Sequence, residues 1–426
     1  MKSQSRNPIG NLIHDFEELF ATAWSGATLA INDKAIRMFG TKKGTLSLDE
    51  KADKSVRAIV TKIEQSDLGD LFSRSHIEKQ VDSVLAEVAA VPSNEVKAVI
   101  TAQVRNLVDS LSKAQIQEHR ITVPVSGVSV WPHDRIVKVG KCWVYSLANH
   151  QESKWLGMIM AHKESSHLLK FSPPGGSEHW IKTIVRAVPE DTEKLEEAAN
   201  QQIREALAIL MLYSILERSA MIFWPKYPMI QIGARRSSLS NFYVVETDTP
   251  FWAGENVASS ALPELLINDK TMQSFSKLNF DRLSSLLTTK SRTEIEAAIC
   301  RSLEVLYSSF SSPDPTWRYI GLVTAMEMLL TVDQERSIKR NISERLTWLL
   351  GEKGKPDDRL KIIERMEEIY SHRSDIIHDA AKIETLNDDI LQLHLFMLDL
   401  ISRLLEADFK TISQLRDWVR SKQLGF

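Results

Sequence analysis

Three side chains near the C-terminal end of the sequence have types and spacing that could do chemistry together. Arg373 and His378 stand in an Arg-x4-His spacing inside Ile369-Tyr370-Ser371-His372-Arg373-Ser374-Asp375-Ile376-Ile377-His378-Asp379-Ala380, and Glu327 lies in an earlier helical stretch. A fixed guanidinium and an imidazole converging on one spot suit phosphodiester cleavage. Imidazole is the side chain that exchanges a proton near neutrality, and the guanidinium balances charge developing on phosphorus.

Helical periodicity predicts how these groups are held. Leu360, Ile363, Met366, Tyr370, Arg373, Ile377 and Ala380 recur at three- and four-residue steps, which puts Arg373 in an otherwise apolar stripe. Glu327 shares a stripe with Ile320, Val323 and Leu330 in the same way. A charge taken out of water needs a partner, so two opposite charges on two apolar stripes predict an Arg373–Glu327 pair. Five residues turn an ideal helix by about 140°, so His378 is expected on the flank of that stripe, within reach of the long Arg side chain. Two readings stay open: a catalytic pair, or a structural salt bridge that fixes helix register.

The elements that must position these groups are helical. From Leu262 to the end the periodicity is that of helices, at Asp269–Thr288, Arg292–Phe310, Pro315–Thr331, Ile338–Leu350, Pro356–Ala380, Asn387–Glu406 and near Ser413–Lys422. Their separators at Phe310–Pro315 and Gly351–Pro356 predict an antiparallel helical bundle over residues 262–426. Residues 121–261 read as a mixed α/β region. Short β-branched or aromatic runs at Ile121–Val130, Arg135–Val139 and Cys142–Leu147 are strands by pattern, with further candidates at Trp155–Met160, Met229–Ile232 and Asn241–Thr247. A loop at Pro173–Gly176 precedes a long helix from about Thr192 to Ala220. Residues 1–120 read as helical, with apolar stripes at Leu12–Ala23 and Ile77–Val88 and a helix starting at Ser93-Asn94-Glu95. The fold class expected is therefore α+β and multidomain, mainly α.

Composition narrows the function classes. A chain of 426 residues supports two or three domains, and 43% hydrophobic with 26% charged residues is ordinary for a globular protein. The formal net charge of −3 argues against coating nucleic acid or anionic membrane by bulk attraction. Cys142 and Cys300 stand alone and far apart, so neither a disulfide framework nor a Cys-rich zinc site is expected, and a reducing cytoplasm is the natural location. The most apolar run, Ala206–Leu216, is shorter than the roughly 20 residues that span a bilayer, so no membrane partner is expected. Phosphate-loop, dinucleotide and nucleophile-elbow motifs are absent. His162-x4-His167 lacks companions at metal-ligand spacing, and neither a metal nor a cofactor is expected. Lys339 and Arg340 could grip the phosphates of a nucleic acid, beside Arg336 and Arg345, although a solvated face interleaved with Glu335 and Glu344 explains them as well. Arg235–Ser238 reads as a loop. The tryptophans at 131, 143, 155, 180, 224 and 252 concentrate in the mixed region, where aromatic packing accounts for them.

The run Tyr319-Ile320-Gly321-Leu322-Val323-Thr324-Ala325-Met326-Glu327-Met328-Leu329-Leu330, then a charged helix, then Ile369–His378, resembles the HEPN superfamily, and within it the Apea-like HEPN group. The resemblance covers about Thr293 to Glu406. It implies a metal-independent endoribonuclease, acting on cellular RNA or tRNA as a homodimer whose two signatures face each other across one composite site. His378 would move a proton at the ribose 2′-OH or the leaving 5′-oxygen, Arg373 would stabilise the phosphorane-like transition state, and Glu327 would orient Arg373. Products would carry 2′,3′-cyclic phosphate and 5′-OH ends. Ser374 stands where many active members have Asn, Asp or His, and Tyr370, Ser374 and Asp375 would line the substrate. His372 is expected to be exposed. The preceding residues would restrain or trigger the nuclease in antiviral defence or stress response, with a phage-derived or antitoxin protein as a further partner. A non-catalytic module binding RNA or a protein, and the toxin of a toxin–antitoxin pair, are the alternatives.

Overall fold

The computed structural model describes residues 27–28, 37–41, 44–65, 71–89, 91, 95–146, 179–189, 191–216, 231–232, 243–246, 251–253, 265–312, 314–331, 338–351, 355–379, 383 and 385–425. Over these residues the chain is mainly helical, with twelve α-helices and twelve strands. It divides into two compact units, Met1–His119 with Val185–Ala198, and Arg120–Ile184 with Ala199–Phe426. The stretches expected at Leu12–Ala23, Trp155–Met160, Pro173–Gly176 and Arg235–Ser238, and the pair His162 and His167, lie outside the described residues.

The first unit differs from the all-helical expectation. Strands β1 (Ala27–Thr28), β2 (Arg37–Thr41) and β3 (Gly44–Leu48) form an antiparallel sheet in the order β1-β3-β2. β2 and β3 pair as a hairpin with Phe39 opposite Leu46, and Leu46 and Leu48 are fully buried. Each strand is at most five residues long, too short for its alternation to stand out between helical runs. Helices α1 (Glu50–Glu64), α2 (Arg74–Val88) and α3 (Val96–Lys113) supply the rest of the core. The stripe Ile77, Val81, Val84, Leu85 and Val88 is buried as the sequence predicts, each such side chain contributing about 1.5–3 kcal/mol relative to exposure. Asp191 caps twice. Its carboxylate accepts from Ser73 N and Ser73 Oγ, both at 2.7 Å, at the start of α2, and from Lys194 N at 3.1 Å at the start of α4 (Thr192–Tyr213).

The second unit holds the larger sheet. β4 (Gln117–Ser126), β6 (Ile136–Val139), β7 (Cys142–Ser146), β8 (His179–Ala187), β10 (Tyr243–Glu246) and β11 (Phe251–Ala253) lie in the order β11-β10-β4-β8-β7-β6, and β9 (Gln231–Ile232) also pairs with β4. Every pairing with a defined register here is antiparallel. β5 (Val128–Val130) pairs in parallel with β12 (Leu265–Ile267). The sequence reading missed β8, β11 and β12. β8 alternates in burial from Ile181 to Ala187, but polar Thr183 takes a buried position and Ile184 a half-buried one, so its residue types do not alternate, and β12 is only three residues inside a stretch read as helical. The β6–β7 hairpin turns at Gly140, where φ is +60° and an added Cβ would sit 2.7 Å from Leu287 Cδ1. Both facts require glycine there.

The helix expected at Asp269–Thr288 is two, α5 (Asp269–Ser276) and α6 (Phe280–Leu286). The break falls at Asn279, whose left-handed backbone (φ +63°) is secured by its amide donating to Ser402 Oγ at 2.9 Å and Glu406 Oε1 at 3.1 Å. Then follow α7 (Glu294–Ser311), α8 (Pro315–Leu330), α9 (Ile338–Leu350), α10 (Pro356–Asp379), α11 (Leu386–Glu406) and α12 (Ile412–Gln423), each within two residues of its predicted bounds. α8 packs against α7, α9 and α11, and α9 against α10, α11 and α12. Gly321 lets α7 and α8 approach closely, since a Cβ there would meet Ser309 Cβ at 2.7 Å.

Candidate functional site

α8 and α10 carry the predicted groups. α8 starts cleanly because the Asp314 carboxylate accepts from Thr316 N at 2.8 Å and Pro315 occupies the first turn, where no N–H is needed. α10 likewise opens on Pro356, with Asp357 and Asp358 in its first turn. Long side chains from α8 fasten to one stretch of α10. The Tyr319 hydroxyl donates to Ile369 O, and Glu327 reaches both Tyr370 and Arg373.

The Arg373–Glu327 pair forms, Nη2 to Oε2 at 3.4 Å, and the Tyr370 hydroxyl donates to the other carboxylate oxygen at 2.9 Å. Glu327 is therefore held through both oxygens. Tyr370 is buried, and burial together with the Glu327 carboxylate pushes its hydroxyl well above the ordinary phenol range, which keeps it a proton-bearing donor. Neither charge is in the core, however. The side chains of Arg373 and Glu327 are 31% and 19% exposed. The stripe predicted for α10 is rotated: Leu360 and Ile377 are exposed, and the buried face runs through Met366, Ile369, Tyr370 and Ile376. Both sets satisfy three- and four-residue steps, and what selects between them is the packing of neighbours that periodicity alone does not contain. One hydrogen bond to Glu327 fixes the Arg373 guanidinium, and its Nε is buried with no hydrogen-bond partner.

His378 and Ser374 are exposed on α10, and Asp375 is half-buried. Lys339 and Arg340 are exposed at the start of α9, with Arg340 paired along its own helix to Glu344 at 2.7 Å. Arg345 departs from the expected basic surface. It is buried and donates to Leu330 O, closing the C-terminal end of α8. Arg336 lies outside the described residues. Of the tryptophans, Trp180 is buried, Trp143 sits beneath Lys138 Nζ at 5.8 Å from the ring centroid, and Trp131 is exposed.

A second cluster, unread in the sequence, joins α10 to α11. Asp389, in the first turn of α11 and 0% exposed, takes His372 Nδ1 at 2.7 Å on one carboxylate oxygen and Arg365 Nη2 on the other. Arg365 also donates to Glu368 at 2.5 Å. His372, expected to be exposed, is instead 20% exposed and anchored. Arg365, Ile369, His372 and Ile376 recur at three- and four-residue steps, and Asp389 sits on the buried stripe of Leu386, Ile390 and Leu393. A carboxylate in an apolar stripe is the signal that singled out Glu327, and it would have found Asp389 too.

The arrangement offers a cation with unused N–H groups, an exposed imidazole farther along the same helix, and a second imidazole fixed by a buried carboxylate. Together these suit charge stabilisation and proton movement at an anionic substrate. Among the described residues no group of three or more His, Cys, Asp or Glu is placed to hold a metal ion, and no helix is long and apolar enough to cross a membrane. No family model, no curated protein and no solved structure matches the chain.

Proposed function

We propose that this protein is a metal-independent endoribonuclease of the HEPN type, with the helices from α7 to α11 as its HEPN bundle. It cleaves RNA by attack of the ribose 2′-OH on the adjacent phosphorus, leaving 2′,3′-cyclic phosphate and 5′-OH ends. Arg373 balances the charge that builds on the non-bridging oxygens, and Glu327, itself braced by Tyr370, keeps the guanidinium in place. His378 moves a proton during the displacement. Ser374 and Asp375 flank the substrate, and Lys339 and Arg340 contact phosphates. Two copies bring their Arg373 and His378 sets to one composite site. The first unit and the large sheet restrain or trigger the nuclease in the cytoplasm, in antiviral defence or stress response, through a phage-derived or antitoxin protein.

The observation that carries this reading is the Arg373–Glu327–Tyr370 set, bonded yet partly open to solvent, on the helix that also presents His378. A salt bridge serving only to fix helix register has no need of solvent access or of an exposed imidazole beyond it. The test compares His378→Ala with the wild-type chain on a labelled tRNA. Because His378 is exposed, the variant should keep its circular-dichroism spectrum and melting temperature and lose cleavage by about 10²–10⁴-fold. Undiminished cleavage by the folded variant would overturn the assignment.

A further inference from the structure

Cleavage by a 2′-OH involves two proton movements. One proton leaves the attacking hydroxyl, and another must reach the 5′-oxygen as the P–O5′ bond breaks. His378 accounts for one of them. The cluster around Asp389 contains a group with the right properties for the other. The Asp389 carboxylate is fully buried and held by Arg365, so it is anchored before it meets the imidazole. An ionised carboxylate can only accept, so the proton at the 2.7 Å contact sits on His372 Nδ1. That fixes the tautomer. The neutral ring then carries its lone pair on Nε2, which has no hydrogen-bond partner among the described residues, on a side chain that still reaches solvent. A carboxylate holding one imidazole nitrogen so that the other can take a proton is the arrangement of a general base. His372 is also the residue immediately before Arg373, the proposed phosphate-binding cation.

We propose that His372 is a second catalytic residue, the general base that removes the proton from the ribose 2′-OH, with Asp389 as its positioning residue and His378 as the acid. In this step His372 Nε2 takes the 2′-OH proton, the 2′-oxygen forms its bond to phosphorus, the P–O5′ bond breaks, and His378 gives a proton to the departing 5′-oxygen. No oxidant, metal or other co-reactant enters. A purely structural role for His372 would be the tying of α10 to α11 through Asp389, and the two roles respond differently to His372→Asn. Asparagine keeps a donor for Asp389 and has no nitrogen that accepts a proton.

The inference rests on the nuclease reading, and the experiment separates their failures. Wild-type chain, His372→Asn and His378→Ala are each given an all-oxygen RNA and the same RNA with sulfur in place of the scissile 5′-oxygen. Sulfur is a good leaving group and needs no acid. Both variants should lose about 10²-fold or more on the all-oxygen RNA. The sulfur substrate should return His378→Ala to near wild-type rate and leave His372→Asn impaired. Wild-type cleavage of the all-oxygen RNA by folded His372→Asn, or rescue of that variant by sulfur, overturns the base assignment while the nuclease reading stands. Failure of the wild-type chain on both substrates overturns the nuclease reading and the inference with it.

Discussion

Replacing Arg373 with alanine separates a catalytic guanidinium from a structural one, because the two roles predict different sizes of effect. Breaking a fully buried ion pair costs about 3–5 kcal/mol, since the surviving charge is stranded. Arg373 and Glu327 are not in that situation. Their contact is 3.4 Å, their side chains are 31% and 19% exposed, and the truncation leaves Glu327 still accepting from Tyr370 at 2.9 Å. Partly solvated pairs of this kind contribute about 1 kcal/mol or less. In a unit of this size such a loss lowers the melting temperature by roughly 2–4 °C. Removing a preorganised donor from the developing negative charge should, by contrast, slow cleavage by about 10²–10³-fold. Thermal unfolding by circular dichroism and single-turnover cleavage of labelled RNA, measured on the same preparation, give both numbers. A stability loss of about 3 kcal/mol or more, or cleavage within a few-fold of wild type, would refute the catalytic role.

Asp389→Ala removes the buried acceptor shared by Arg365 and His372, while Arg365 keeps its bond to Glu368, and should cost about 1.5–3 kcal/mol in urea unfolding, more than Arg373→Ala; equal losses would mean that the buried cluster is not the stronger anchor. Gly321→Ala pushes a methyl group into Ser309 and should lower stability by about 1–3 kcal/mol, so an unchanged melting temperature would show that α7 and α8 can separate freely. Glu205 is buried, and that burial raises its carboxyl above the ordinary value in spite of the hydrogen bond from Gln201. A raised carboxyl stabilises the fold fully below its unfolded value and loses that contribution as pH rises through the folded value. Glu205→Gln should therefore match the wild-type chain in acid and exceed it in melting temperature near neutrality, and a gap independent of pH would contradict the cause given.

The Arg373–Glu327 contact was legible in the sequence as two opposite charges interrupting apolar patterns on two helices, even though the α10 stripe that suggested it is not the buried one. The helices from α7 to α12 were legible for a related reason: Asp314-Pro315, Pro356 and the turn residues between them mark the ends that periodicity leaves vague. Other features depend on tertiary packing. The rotation of the α10 stripe, which exposes Leu360 and Ile377, is decided by which neighbours are present. The β2–β3 hairpin and β12 are too short to leave a periodic signal, and β8 hides its alternation by burying Thr183 and leaving Ile184 half-buried. Arg345 looked like part of a basic surface because a charge among charges carries no mark of burial, and only its bond to Leu330 O shows where it points. Asp389 was hidden by its neighbour Asp388: an acidic pair at a helix start reads as dipole matching, although only Asp389 falls on the buried stripe.

The proposed nuclease cuts RNA through its own side chains. The most direct measurement incubates purified protein, alone and with extract from stressed or phage-infected cells as activator, with total RNA in excess EDTA, and then determines the new ends. Cleavage is expected under at least one of these conditions, with 5′ ends that polynucleotide kinase labels without prior phosphatase treatment and 3′ ends that carry cyclic phosphate. Absence of cleavage in every condition, or products with 5′-phosphate and 3′-OH ends, would contradict the proposal.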